Sequence, residues 1–87
     1  MRIDRFLHCI RLAKSRSLAQ ALVHAGHIRI DGKRVTKCAE NVRPGQVIAL
    51  PLRSTIRVLR ITTLPARRGP AAEALRHYEE LAAPTGD

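Results

Sequence analysis

The stretch from Arg11 to Ala19 holds the densest set of side chains able to bind an anion. Its cations and hydroxyls belong to Arg11, Lys14, Ser15, Arg16 and Ser17. Ser15 is suited to cap a helix, because its hydroxyl can accept from a free amide in the first turn. The apolar residues that follow at helical spacing are Leu18, Ala21, Leu22 and Ala25. Cations beside a helix N-terminus are unfavourable for the helix, so this arrangement indicates a phosphate partner; the alternative is a solvated charged turn.

The overall charge of the chain indicates the same kind of partner. Its 87 residues contain sixteen Lys and Arg against seven Asp and Glu, for a net charge of +9. Nine of the sixteen cations lie within residues 1–37, together with only two acids. This balance predicts a polyanion, either nucleic acid or an anionic membrane. The length predicts a small domain with a modest core and no deep pocket.

Several other functions are disfavoured by the residue pattern. The apolar runs are too short for a transmembrane helix, and no helix pairs a long apolar face with a basic one, so no membrane partner is expected. The N-terminus lacks a signal-peptide pattern, which predicts a cytoplasmic protein with Cys9 and Cys38 reduced. The acids are not paired, and the His and Cys residues lack metal-ligand spacing. We therefore expect neither an enzyme nor a bound cofactor or metal.

The first half of the chain has clear local signals for two helices and a small sheet. Apolar residues at i, i+3, i+4 and i+7 predict a helix over residues 3–10, and a second helix is expected from Ser15 to Ala25. Gly26 suits the left-handed residue that ends such a helix. Asp31-Gly32 predicts a tight hairpin turn, and Pro44-Gly45 predicts a type II turn before a strand over 47–50. Pro51 should end that pairing or lie at an edge.

The second half predicts one more strand and a helix. The strand covers residues 54–63, and a break in its alternation at Leu59 allows a bulge. Pro70 is placed to begin the helix. The apolar stripe of that helix would be Ala71, Ala74, Leu75, Tyr78, Leu81 and Ala82. Residues 84–87 should fray.

Taken together, the helices, the hairpin and the Pro-Gly turn resemble the alpha-L RNA-binding motif of the S4 domain family. The matching segments are residues 2–7, 11–19, 26–32 and 42–45. The extra strand, and an Arg-Arg-Gly-Pro-Ala stretch leading to Tyr78-Glu79-Glu80, resemble the ribosome-associated heat-shock proteins of about fifteen kilodaltons. The resemblance implies an α+β fold with two N-terminal helices on a small, mostly antiparallel sheet, plus a C-terminal helix. Residues 1–66 would form the RNA-binding domain and residues 67–87 a helical extension.

The resemblance also implies a function. It implies non-catalytic binding of structured RNA, chiefly rRNA of the large ribosomal subunit, on stalled or dissociated subunits that carry nascent-chain tRNA. The protein would act in the stress response as a monomer, with a contact to tRNA left open. Carried over by position, the RNA-binding residues would be Arg2, Arg5, Arg11, Lys14, Ser15, Arg16, Ser17, Gln20, Lys33, Arg34 and Lys37.

Two positions depart from the family pattern, and one other function stays open. His8 stands where relatives often carry an aromatic residue, and Gln46 where an Asp is usual. With one Phe, one Tyr and no Trp, the chain has few side chains for base stacking, so we expect recognition of RNA shape and backbone. The alternative is a DNA-binding protein of the helix-turn-helix kind, because two short helices and basic charge suit that function as well.

Overall fold

The computed structural model describes residues 1–82, which begin with two helices. α1 spans Ile3–Cys9 and α2 spans Arg16–His24, so both predicted helices are confirmed. The buried side of α1 is the predicted one, with Ile3, Phe6 and Leu7 fully shielded from solvent. A helix of this length is marginal alone, so this apolar contact with the rest of the core is what holds it.

The buried side of α2 differs from the predicted stripe. Ala19 and Val23 are buried, whereas Leu18 is 50% exposed and Leu22 is half-buried. Apolar residues occupy nearly all of positions 18–25, so helical periodicity alone does not choose a side. The helix is rotated so that the side chains of Arg16 and Gln20 both reach Asp4 of α1. Polar contacts to one distant residue therefore set which apolar residues are buried.

Five antiparallel strands form one sheet with the order β2-β1-β3-β4-β5. The strands are β1 (Ile28–Ile30), β2 (Lys33–Val35), β3 (Val47–Leu52), β4 (Thr55–Ile61) and β5 (Tyr78–Ala82). The predicted hairpin turn is confirmed, with φ of 50° at Asp31 and 84° at Gly32. Gly45, with φ of 93°, occupies the position that a type II turn reserves for a positive φ, as predicted.

The register gives the sheet an inner face that packs on the helices and an outer face that does not. The inner face carries the buried residues Ile28, Ile30, Val35, Ile48, Leu50, Leu59 and Ile61. The outer face carries Arg29, Arg34, Val47, Ala49, Pro51, Ile56, Val58 and Arg60. Pro51 pairs only with β4, because the pairing of β1 with β3 reaches no further than Ala49. Its predicted place at a local edge is confirmed.

The C-terminal part contains less helix than the apolar stripe predicted. A short helix, α3 (Ala71–Ala74), and a 3₁₀ turn (Leu75–His77) lead into β5. The helix prediction is therefore wrong for Tyr78–Ala82, which pairs with β4 instead. That pairing is stabilised by ion pairs between the strands, as from Arg57 to Glu80 at 2.6 Å. The β4–β5 register shifts between Val58 and Leu59, where the break in alternation allowed a bulge. The prediction for residues 84–87 lies outside the described residues.

Candidate nucleic-acid interface

The centre of the basic surface is a buried acid, Asp4, in the first turn of α1. Its carboxylate accepts hydrogen bonds from Arg2 Nε and Nη2 at 3.2 and 3.1 Å and from Arg16 Nη2 at 3.2 Å. Gln20 Nε2 donates at 3.1 Å, and the backbone amide of Arg5 donates at 2.7 Å. We call Asp4, Arg2, Arg16 and Gln20 the Asp4 cluster. It joins the start of α1 to the side of α2 that carries two of the predicted RNA-binding residues.

Asp4 is ionised in this setting despite its burial. Burial opposes the charged carboxylate, but the hydrogen bonds from Gln20, Arg16 and Arg2 outweigh it and lower the pKa of Asp4 below its usual value. One carboxylate thus fixes two guanidinium groups whose side chains stay 49% and 42% exposed. The cluster therefore has a net positive charge at the surface. Its two guanidinium groups are held in fixed positions by their hydrogen bonds to Asp4.

The start of α2 adds polar groups beside this cluster. Ser15 has the extended backbone of an N-cap, with φ of −144°, and its Oγ accepts from the amide of Leu18 at 3.1 Å, as predicted. Lys14 and Ser17 are exposed on either side of it. The first turn of α2 contains no acid that could neutralise this end of the helix. An anion approaching the start of α2 would meet free amides together with a lysine and hydroxyls.

Arg5 and Arg11 are engaged differently from the rest of the predicted set. Arg5 Nη2 donates to the carbonyl of Ala66 at 2.9 Å, and Arg11 Nη1 donates to the carbonyl of Gly69 at 3.0 Å. In the opposite direction, Arg68 Nε donates to the carbonyl of His8 at 3.0 Å. These three guanidinium groups fasten the 66–69 segment to α1 and to the turn that follows it. The resemblance gave no sign of this structural role.

The hairpin residues divide between the two faces of the sheet. The thiol of Cys38 lies 3.8 Å from the carbonyl of Gln20 and 3.3 Å from His24 Nε2, which places neighbouring Lys37 beside α2. Lys33 is in register with the inner-face residue Ile30, and it is therefore on the helix side of β2. Arg34 pairs with Arg29 on the outer face, away from the helices.

The sequence reasoning missed two features of this surface. It gave Asp4 no part in the site, although a charged residue at a position that α1 buries signals a polar partner. The spacing of Arg16 and Gln20, four residues apart on α2, is the matching signal. It also left out Arg29, which the two-residue turn places directly opposite Arg34.

Within residues 1–82, no group of three or more His, Cys, Asp and Glu side chains could hold a metal ion. The helices of this described part are all too short or too polar to cross a bilayer.

Comparison with known proteins identifies a family and several ribosomal relatives. The family model described as "S4 domain" matches residues 1–48. The small ribosomal subunit protein uS4 of Lacticaseibacillus casei is 51% identical over 53 residues, which are 61% of this chain and 26% of that protein. The same protein from Oenococcus oeni is 45% identical over 53 residues. The chain thus spans about a quarter of the length of these curated relatives, 26% in both cases.

Two solved structures share the fold over nearly the whole chain. Heat Shock Protein 15 of Vibrio cholerae, whose structure is described as trimeric, superposes with a TM-score of 0.88 at 32% identity. That match covers 94% of this chain and 82% of the other. The hypothetical protein HP1423 gives a TM-score of 0.76 at 27% identity, covering 95% and 99% of the two chains. The predicted α+β fold, with helices on a small antiparallel sheet, is confirmed.

Proposed function

Because this chain belongs to the S4 domain family, we propose that it binds structured RNA without catalysing a reaction on it. The binding surface, here called the helix-side surface, consists of Arg2, Lys14, Ser15, Arg16, Ser17, Gln20, Lys33 and Lys37, with Arg5 and Arg11 at its margin. The observation that carries the proposal is the Asp4 cluster. One buried carboxylate holds two half-exposed guanidinium groups in place, and their combined charge exceeds its own, which leaves a net positive site for an anion.

The geometry favours contacts with the phosphate backbone. Guanidinium groups bind phosphate through paired hydrogen bonds, while hydroxyls and free amides at the start of α2 can each add a single hydrogen bond. Such contacts fix position but carry little sequence information, and the helix-side surface includes no aromatic side chain for stacking. With about five phosphate contacts, the slope of log K against log salt should be roughly −3.5 on single-strand-like RNA.

The finer proposal concerns the RNA and its setting. We propose rRNA of the large ribosomal subunit, on stalled or dissociated subunits that carry nascent-chain tRNA, bound by a cytoplasmic monomer under stress. The likeness to Heat Shock Protein 15 over 94% of the chain supports a stress-related protein over a part of a small-subunit protein, but that structure is described as trimeric and gives no support to the monomer. Cross-linking in cells, followed by sequencing of the attached RNA, tests it. Recovery of small-subunit rRNA alone would contradict the finer proposal and leave the binding surface intact.

A charge-matched pair of double variants tests the binding surface. Lys14→Gln with Lys37→Gln removes two exposed cations from the helix-side surface, and Arg67→Gln with Arg76→Gln removes two from the C-terminal part. By fluorescence anisotropy with an rRNA hairpin at about 100 mM salt, the first should lose about tenfold in affinity and the second much less. Equal losses would mean that only net charge matters. Equal competition by duplex DNA would favour the helix-turn-helix alternative.

A further inference from the structure

We propose that the outer face of the sheet carries a second phosphate site, which takes a separate segment of single-stranded RNA. Its centre is the pair of Arg29 and Arg34. These residues lie directly opposite each other on the paired strands β1 and β2, and both side chains are exposed. The helices pack on the other side of the sheet, so this site is distinct from the helix-side surface.

Two like charges at a directly opposed cross-strand position are unfavourable for the sheet. The Cβ atoms of such residues are about 5 Å apart, and the repulsion destabilises the pairing. Arg29 Nη1 reaches only a backbone carbonyl, that of Gly32 at 3.4 Å, which is a weak contact. None of the ion pairs found among residues 1–82 includes Arg29 or Arg34. The fold therefore leaves this charge pair available to an anion from outside.

A groove beside the arginine pair gives the site its second component. It has a volume of about 440 Å³ and runs from Gly26 and His27 across the outer face to β4. Ala49, Pro51 and Ile56 line it, and Ile56 is 63% exposed. None of these three residues packs against the hydrophobic core of the described chain. An apolar floor with cations at one rim suits a nucleotide, whose base covers the floor while its phosphate meets the guanidinium groups.

The charges on the outer face favour RNA over a protein partner. The acid that faces this side in the described strands is Glu79, which pairs with Arg60 at 3.2 Å. At the hairpin turn, Asp31 Oδ1 accepts from the backbone amide of Val47 at 2.9 Å. The charged or titratable residues that line the groove are arginine and histidine. The groove therefore complements RNA, which carries a negative phosphate at every nucleotide. Because β2 also carries Lys33 toward the helices, a bound RNA could pass over this edge strand from one face to the other. The choice of RNA as the ligand rests on the proposed function, whereas the position of the site is inferred from the arginine pair and the groove alone.

Amide NMR of the full chain, titrated with octauridylate, tests the inference. Saturating shifts are expected at Arg29, Arg34 and Ile56, and they should persist in the variant with Lys14→Gln and Lys37→Gln. Arg29→Gln with Arg34→Gln should weaken the outer-face response by about tenfold and reduce the salt slope by about 1.4. Arg34→Gln alone should raise Tm by about 1–4 °C, because it removes the cross-strand repulsion. If the arginine variants gain stability but lose RNA binding, the arginine pair serves binding and not the stability of the sheet.

Each contrary result has a distinct meaning. Shifts confined to helix-side amides would overturn the second site and leave the proposed function standing. No shift on either face would overturn the second site, whereas the proposed function, which concerns structured RNA, would fall only if the rRNA hairpin also failed to bind. Loss of the outer-face shifts in the variant with Lys14→Gln and Lys37→Gln would show that the outer face is not an independent site. Shifts of the same amides on raising protein concentration without RNA would mean that a second copy covers the groove, which also overturns the inference.

Discussion

Replacing Asp4 with Asn is the most direct test of how the basic surface is held. The change keeps the shape of the side chain but removes the charge that five N–H donors share. One amide oxygen would remain as an acceptor, while the new NH₂ group would face the guanidinium groups of Arg2 and Arg16, which cannot accept a hydrogen bond. Asp4→Asn therefore turns a satisfied cluster into one with donors facing donors.

The expected cost follows from the burial of the acid and the exposure of its partners. Hydrogen bonds to a charged group contribute about 1.5–3 kcal/mol each, and breaking a buried pair costs about 3–5 kcal/mol. The arginine side chains are 49% and 42% exposed, so water can replace part of what they lose. We expect the free energy of unfolding to fall by about 2–3 kcal/mol, and Tm by roughly 8–20 °C. Circular dichroism with urea and with heat measures both quantities.

The same variant separates orientation from charge in RNA binding. Asp4→Asn makes the chain more basic, which by itself would strengthen binding. If the cluster aims its cations, affinity should fall despite the added charge. Glu40→Gln is the matched control, because Glu40 is exposed on the loop beside α1 and its loss changes the net charge equally. An Asp4→Asn protein as stable as the parent, with RNA affinity equal to that of Glu40→Gln, would refute the role assigned to Asp4.

The pH dependence of stability gives an independent check on Asp4. Its pKa in the folded chain lies below the usual 3.8, so the ionised acid stabilises the fold above that value. This contribution is lost as pH falls from about 4 through the lower folded-state pKa. The gap in stability between the parent and Asp4→Asn should therefore be full at neutral pH and shrink in acid. A gap that stays constant down to pH 2 would contradict the ionised cluster.

Three further predictions concern packing, titration and the hairpin. In urea denaturation, Val23→Ala should lower the free energy of unfolding by about 2 kcal/mol and Leu18→Ala by less than about 0.5 kcal/mol. A larger loss for Leu18→Ala would mean that α2 buries the apolar side predicted from the sequence. The pKa of His8 should lie below its usual 6.5, because burial and the charge of Arg68 oppose the imidazolium. Arg68→Gln should raise it in an NMR titration, and an unchanged midpoint would contradict that cause. Gly32→Ala should cost about 1 kcal/mol by thermal denaturation through backbone strain alone, since the site has open space around it and φ of 84°.

The elements that the sequence predicts well are those whose signals are local. A capping serine, an Asp-Gly turn and a Pro-Gly turn each act within four residues, and all three formed as expected. The rotation of α2 was not predictable in this way, because Asp4 is 12 and 16 residues from its two partners on that helix. The tail strand depends on an edge of β4 that no local pattern reveals. Residues Tyr78–Ala82 have helical periodicity, but they pair with the free edge of β4 as a strand instead of forming a helix.

The candidate site was predictable in residue type but not in arrangement. The resemblance selected cations by their position in the chain, and such a choice cannot tell a guanidinium that faces solvent from one that fastens a backbone segment. Arg11 shows the difference, since its side chain is fixed to the carbonyl of Gly69. The separation of Lys33 from Arg34, by contrast, follows from alternation along a strand once the hairpin turn is known. The face of the sheet on which each of these two residues lies could therefore have been predicted from the sequence.

The charge of this chain is better explained by a ligand than by the fold. A net charge of +9 on 87 residues is self-repelling, and the ion pairs of the described chain neutralise only part of it. The acids are moreover used unevenly. Asp4 is buried and pairs with two cations, and Glu79 and Glu80 serve the β4–β5 pairing. At the β1–β2 turn, Asp31 Oδ1 accepts from the backbone amide of Val47, and in the described chain Asp31 forms no ion pair with Arg29 or Arg34. The acids thus compensate the cations of both faces only in part, which is the arrangement expected of a surface that meets a polyanion.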